Sequence, residues 1–128
     1  GASGGCQAEI GSASGMAAAA ICSVRGGSKE QMGHACAMAL KNLMGLVCDP
    51  VAGLVEVPCV KRNVGGAVNA LAAADMALAG IASHIPVDQV IDAMGEVGMK
   101  MDVSLRETSM GGVATSPKGL EIAERLGM

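Results

Sequence analysis

Five cysteines stand at positions 6, 22, 36, 48 and 59, and thiols are the side chains here best suited to ligate a metal or act as nucleophiles. The count is odd, and the opening GASGGCQAEI carries no basic-then-apolar signal segment. A disulfide framework is therefore the weaker reading, and reduced thiols in the cytoplasm the better one. Cys22 and Cys36 fall within helical apolar patterns beside Ala, Ile and Met, where a free cysteine acts as a small hydrophobe. The other three sit at element boundaries. Cys6 follows Gly4-Gly5 ahead of a first helix, Cys48 precedes Asp49-Pro50 in an apolar loop, and Cys59 follows Pro58 ahead of a third helix. A helix N-terminus favours the thiolate at Cys6 and Cys59, and the thiolate is the state a metal ligand needs.

The three boundary cysteines are 42 and 11 residues apart. Structural zinc sites use close Cys pairs and four ligands, and ferredoxin runs use short intervals with a fourth cysteine. Neither pattern is present. Spacing alone leaves a metal site open and favours three ordinary thiols.

The elements that would position these thiols are helical. The 128 residues are 51% hydrophobic and 16% charged, with no Phe, Tyr or Trp, nineteen Gly and ten Met. A core without aromatics must be built from close-packed small residues, with Met filling the gaps. Helices are expected over about 8–24, 28–44, 60–79 and 86–101, with a short last helix opened by Ser116-Pro117 and ending at Gly127. Ser28 begins SKEQ, a capping box with Gln31. The segment 45–59, GLVCDPVAGLVEVPC, loses the helical period and holds two prolines, yet it is apolar. Loops are usually polar and superficial, so an apolar one is a candidate site. The fold expected is a single compact all-α domain over residues 1–128, with about five helices and an apolar loop at 45–59. The net charge of −3 argues against a nucleic-acid surface, and no apolar run approaches the ~20 residues of a membrane helix.

Three segments carry a resemblance: GCQAEIGSAS (5–14), GLVCDPVAGLVEVPCVKRN (45–63) and RETSMGGVATSP (106–117). They resemble the iron–sulfur-dependent L-serine dehydratase family, specifically the C-terminal part of its catalytic α chain in the form with separate α and β chains. The resemblance implies a 4Fe–4S cluster held by Cys6, Cys48 and Cys59, with the fourth iron free of a motif cysteine. It implies a C-terminal fragment of a longer α chain that completes the substrate pocket. It also implies association with a β chain or a second copy. Some relatives end in a cysteine that folds onto the open iron; this sequence ends ERLGM and has none.

The implied reaction turns L-serine into pyruvate and ammonia, with the cluster as Lewis acid on the substrate hydroxyl. Three protein ligands and one open position suit that role, whereas an electron carrier prefers four thiolates. Lys61, Arg62 and Asn63, directly after Cys59, are candidates to bind the substrate carboxylate, Arg62 bidentately. The opposing reading of these three is a solvated helix start. Glu9 and Glu56, near cluster cysteines, are candidates to orient groups there. His34 and His84 read as structural, and no catalytic base is assigned within the chain. Two rivals remain: an L-cysteine desulfidase using the same cluster, and a non-catalytic helical packing or regulatory module whose thiols all lie in the core.

Overall fold

The computed structural model describes residues 2–128. Among the described residues there are five α-helices: α1 (Ile10–Val24), α2 (Lys29–Asn42), α3 (Cys59–Leu78), α4 (Val87–Lys100) and α5 (Pro117–Arg125). Among the described residues there is no strand, only an isolated bridge between Cys48 and Arg106. The all-α expectation is met.

Helices α1, α2 and α3 pack mutually, α4 lies against α2 and the N-terminal turns, and α5 covers the turns near 51–53 and 112–115. The three-helix core is built from Ala18, Ala35, Ala39, Ala70, Ala73, Ala74 and Ala77 around Cys22. Methyl-sized side chains let the backbones approach, as the aromatic-free composition required. A polar clasp adds direction. Asn69 on α3 donates to Ala39 O on α2 (3.0 Å) and to Ser14 Oγ on α1 (2.9 Å), and Ser14 donates on to Gly66 O (2.7 Å).

Local signals set the helix ends. Ser28 Oγ accepts from Gln31 N while Gln31 Oε1 accepts from Ser28 N, so both arms of the capping box are made. Ser116 caps α5 at Gly119 N, and Pro117 occupies its first turn.

Two boundaries differ from expectation, and both concern the thiols. Helix α1 begins at Ile10, not near residue 8, because Cys6–Ala8 winds as a separate 3₁₀ turn. Gly5, at φ +82, makes that turn, and a Cβ on it would meet Leu46 O at 2.8 Å. Cys6 thus stands four residues ahead of α1, and the helix-dipole argument made for it fails. Cys59 does stand at a helix start, as the first residue of the twenty-residue α3, yet burial raises its thiol pKa there. The glycine-rich stretch after α4 is also more ordered than its aperiodic sequence suggested, with 3₁₀ turns at Val103–Leu105 and Gly112–Thr115.

No helix among the described residues is long and apolar enough to cross a membrane. Apolar residues are nevertheless exposed on both α1 and α3. Val60, Val64, Val68 and Leu71 on α3 and Met16 and Val24 on α1 are all exposed.

Candidate functional site

Three distant segments bring Cys6, Cys48 and Cys59 to one cleft of about 200 Å³, whose walls also include Glu9, Asn63 and Glu107. Cys6 and Cys48 are 2% and 4% exposed; Cys59, half-buried, packs against them with Leu43 and Leu46. Cys22 lies in the three-helix core, and Cys36 packs beside Leu40 and Val90. The five cysteines therefore separate as three and two, and none is in a disulfide.

Each of the three is held by its backbone. Cys6 is fixed through its neighbour Gln7, whose N–H donates to Leu46 O (3.0 Å). The Gln7 amide, 1% exposed, donates to Gly4 O (3.0 Å) and Met94 O (2.9 Å) and accepts from Gly45 N (2.9 Å). One side chain thus ties the Cys6 turn to α4 and to the start of the apolar loop. Cys48 is pinned on both sides: its N–H donates to Leu105 O and its carbonyl accepts from Glu107 N, each at 2.8 Å. Cys59 is fixed by α3, where Asn63 Nδ2 also donates to its carbonyl (3.1 Å).

The loop around Cys48 carries backbone strain. Ala52, Glu107 and Ser109 all have positive φ (54°, 69° and 57°), which non-glycine residues adopt only when the surroundings dictate it. Ser109 shows how they do so: its Oγ donates to Pro50 O (2.6 Å) and accepts from Gly53 N (3.1 Å). The apolar loop satisfies its backbone indoors through such contacts, and Val51 N to Val57 O (2.9 Å) closes it.

Asp49, 2% exposed, supports the same loop from behind. Its carboxylate accepts from Arg62 Nη1 and from Val113 N, each at 2.7 Å. Arg62 Nη1 also donates to Val47 O (2.9 Å). Burial works against the Arg62 charge, but Asp49 outweighs it and holds the guanidinium pKa above its ordinary value.

The electrostatics of the thiols follow from crowding. Burial pushes Cys48 up to about 12, and the neighbouring Cys6, Cys59 and Glu107 add to the shift. Burial also raises Cys59, with Cys6 adding to the rise while Arg62 opposes it. Without a ligand both groups are neutral thiols at pH 7, so loading a cation there must displace protons.

Among the described residues no three His, Cys, Asp or Glu side chains are arranged to hold a single metal ion. Three thiols nevertheless border one cleft, a soft donor set of the kind that takes thiophilic metals.

The other expected residues divide. Glu9 and Asn63 line the cleft; Glu56 and Lys61 are exposed and are not part of its wall. Arg62 lies behind the cleft, engaged with Asp49 and Val47. His34 Nδ1 accepts from Ser83 N (3.2 Å), a structural role, and His84 is exposed. Sequence reasoning missed Gln7, Asp49 and Glu107 as parts of the site. Apart from the Gln7 contact to Gly4, the partners of Gln7 and Asp49 lie 13 to 87 residues away, and no local pattern marks them.

A family profile described as "Serine dehydratase alpha chain" matches residues 1–114. Among curated proteins, the chain is 64% identical over 126 residues to a "Probable L-serine dehydratase, alpha chain" of Bacillus subtilis (strain 168), covering 98% of this chain and 42% of that protein. It is 56% identical over 122 residues to the "L-serine dehydratase, alpha chain" of Peptoniphilus asaccharolyticus, covering 95% and 42%. It is 47% identical over 111 residues to "L-serine dehydratase 1" of Escherichia coli (strain K12), covering 86% and 24%. The chain thus spans less than half the length of these relatives. With the three thiols gathered at one cleft and nearly the whole chain matched, this chain belongs to the serine dehydratase alpha chain family.

Proposed function

We propose that this chain supplies the cluster-holding part of a cytoplasmic L-serine dehydratase, with Cys6, Cys48 and Cys59 as ligands of a 4Fe–4S group. The observation that carries the reading is the convergence of these three thiols, from segments far apart in sequence, while Cys22 and Cys36 pack elsewhere. Family membership supports the reaction.

Dehydration needs help at two points: hydroxide leaves poorly from Cβ, and the Cα proton is weakly acidic. The cluster, when bound, supplies a Lewis acid for the hydroxyl. The chain's own residues do the rest that is visible here. Asn63, on the cleft wall, offers an amide donor for the substrate carboxylate, while Arg62 is committed to Asp49. Glu9 and Glu107 give the cleft an anionic rim suited to the substrate ammonium. Leu43, Leu46 and Ile10 close the floor behind the thiols and keep water from it. Neither histidine lines the cleft, and no residue of this chain is assigned as the base for the Cα proton.

Association follows from the apolar residues exposed on α3. Val60 and Val55 bound the cleft, and the exposed row Val60, Val64, Val68 and Leu71 runs away from it along α3. Burial of this row against a β chain or a second copy would close the cleft from the solvent side.

The experiment uses the complete polypeptide, reconstituted anaerobically with iron and sulfide and offered L-serine or L-cysteine. Pyruvate from serine is the expected result. Pyruvate from cysteine alone would replace the dehydratase reading with the desulfidase one. Failure to take up iron and sulfide, with turnover of neither substrate, would leave the packing-module reading in its place.

A further inference from the structure

Arg62 and Asp49 form the one ion pair in the described structure with a nearly solvent-free carboxylate. Their side chains are 21% and 2% exposed, whereas both partners are at least 47% exposed in each of the other pairs. A buried ion pair is poor evidence for stability, because desolvation offsets the attraction. Its geometry here has a different consequence.

Asp49 directly follows Cys48, and Arg62 lies one helical turn after Cys59 on α3. The 2.7 Å contact between them therefore fixes the Cys48 loop against the helix start that carries Cys59. The same Arg62 nitrogen holds Val47 O, and the second Asp49 oxygen holds Val113 N. Cys6 lies within electrostatic reach of the same guanidinium. Gly112, at φ +63, is required at this point because a Cβ there would run into the Asp49 carboxylate. The pair thus touches or adjoins all three cysteine segments while lying outside the cleft.

We propose that Asp49 and Arg62 are a positioning pair for the cluster: they set the spacing of Cys48 and Cys59 before loading and hold a fixed cation behind Cys6. This inference rests on the cluster reading above. Both carboxylate oxygens act as acceptors, so asparagine cannot replace aspartate without breaking one arm: its NH₂ would face either the guanidinium or the Val113 N–H, donor against donor. Lysine in place of arginine keeps the charge, but its ammonium ends one bond short of the Nη1 position from which Arg62 reaches both Asp49 Oδ1 and Val47 O.

The test compares wild type with Asp49→Asn and Arg62→Lys in the complete polypeptide, reconstituted anaerobically with iron and sulfide. The rate of iron release to a chelator is read per folded chain, with circular dichroism of the cluster-free forms alongside. Both variants are expected to keep their helical signal and to lose iron about 10–100-fold faster, the usual effect of removing a partner behind a metal ligand. A merely structural pair would shift the melting of the cluster-free protein and leave the release rate alone. Release within twofold of wild type in the folded variants overturns the proposal. Should Asp49→Asn fail to fold, Arg62→Lys carries the same decision alone. A wild-type polypeptide that takes up no iron overturns the cluster reading beneath the inference, and is seen before any variant is made.

Discussion

Replacing Cys48 with serine is expected to abolish cluster binding and lower pyruvate formation from serine on the order of 10³-fold or more, while leaving the fold intact. Cys48 is held by its backbone, through Leu105 O and Glu107 N, and neither contact involves the sulfur. Serine is close in shape, so helical content and melting temperature should stay near wild type. Its hydroxyl does not ionise near neutral pH and cannot stand in for a thiolate. A Lewis acid at a leaving oxygen supplies several kcal/mol, and every ~1.4 kcal/mol is a factor of ten in rate. Visible absorption after anaerobic reconstitution, followed by a pyruvate assay on the complete polypeptide, checks both halves. Retained absorption and turnover in the variant would remove Cys48 from the site.

The largest effect on stability is expected at Gln7. Its amide makes three hydrogen bonds from a 1% exposed position, to Gly4 O, Met94 O and Gly45 N. Leucine fills similar space but leaves those backbone groups without their partner, and each buried polar group left unpaired costs about 1–3 kcal/mol. Gln7→Leu should lose about 3–5 kcal/mol, a large share of the ~5–15 kcal/mol by which domains are stable. The melting temperature should fall by roughly 10 °C or more. Gln7→Glu keeps an acceptor for Gly45 N but turns a buried carboxylate oxygen toward the Gly4 and Met94 carbonyls, and should lose at least as much. Urea unfolding followed by circular dichroism measures the difference; a loss below about 1 kcal/mol for Gln7→Leu would mean the clasp does not hold the Cys6 turn in place.

Gln7 also marks the limit of what the sequence made legible. Helix signals are local, and they were readable: the Ser28–Gln31 box, the Ser116-Pro117 cap and the small-residue core all appear where their residues indicated. The two-and-three division of the cysteines was legible too, because Cys22 and Cys36 sit in periodic segments and the others do not. The clasps were not. Gln7 reaches Met94 across 87 residues and Asp49 reaches Val113 across 64, and no local pattern announces a partner at such range. In the sequence Asp49 is only a loop residue ahead of Pro50, and Arg62 reads as a carboxylate binder or as part of a solvated helix start. Together they are a buried pair. Glu107 was hidden in a glycine-rich stretch that is tied to Cys48 through backbone contacts far apart in sequence.

The central claim is that Cys6, Cys48 and Cys59, and not the other two thiols, hold an iron–sulfur cluster. Iron and acid-labile sulfide counted per chain after anaerobic reconstitution test it most directly, in the complete polypeptide and in two variants. Wild type and Cys22→Ala/Cys36→Ala should each carry about four iron and four sulfide, as the cluster type requires, and Cys6→Ser/Cys48→Ser/Cys59→Ser should carry none. Loss of iron from the Cys22/Cys36 variant, or its retention by the triple variant, would contradict the account.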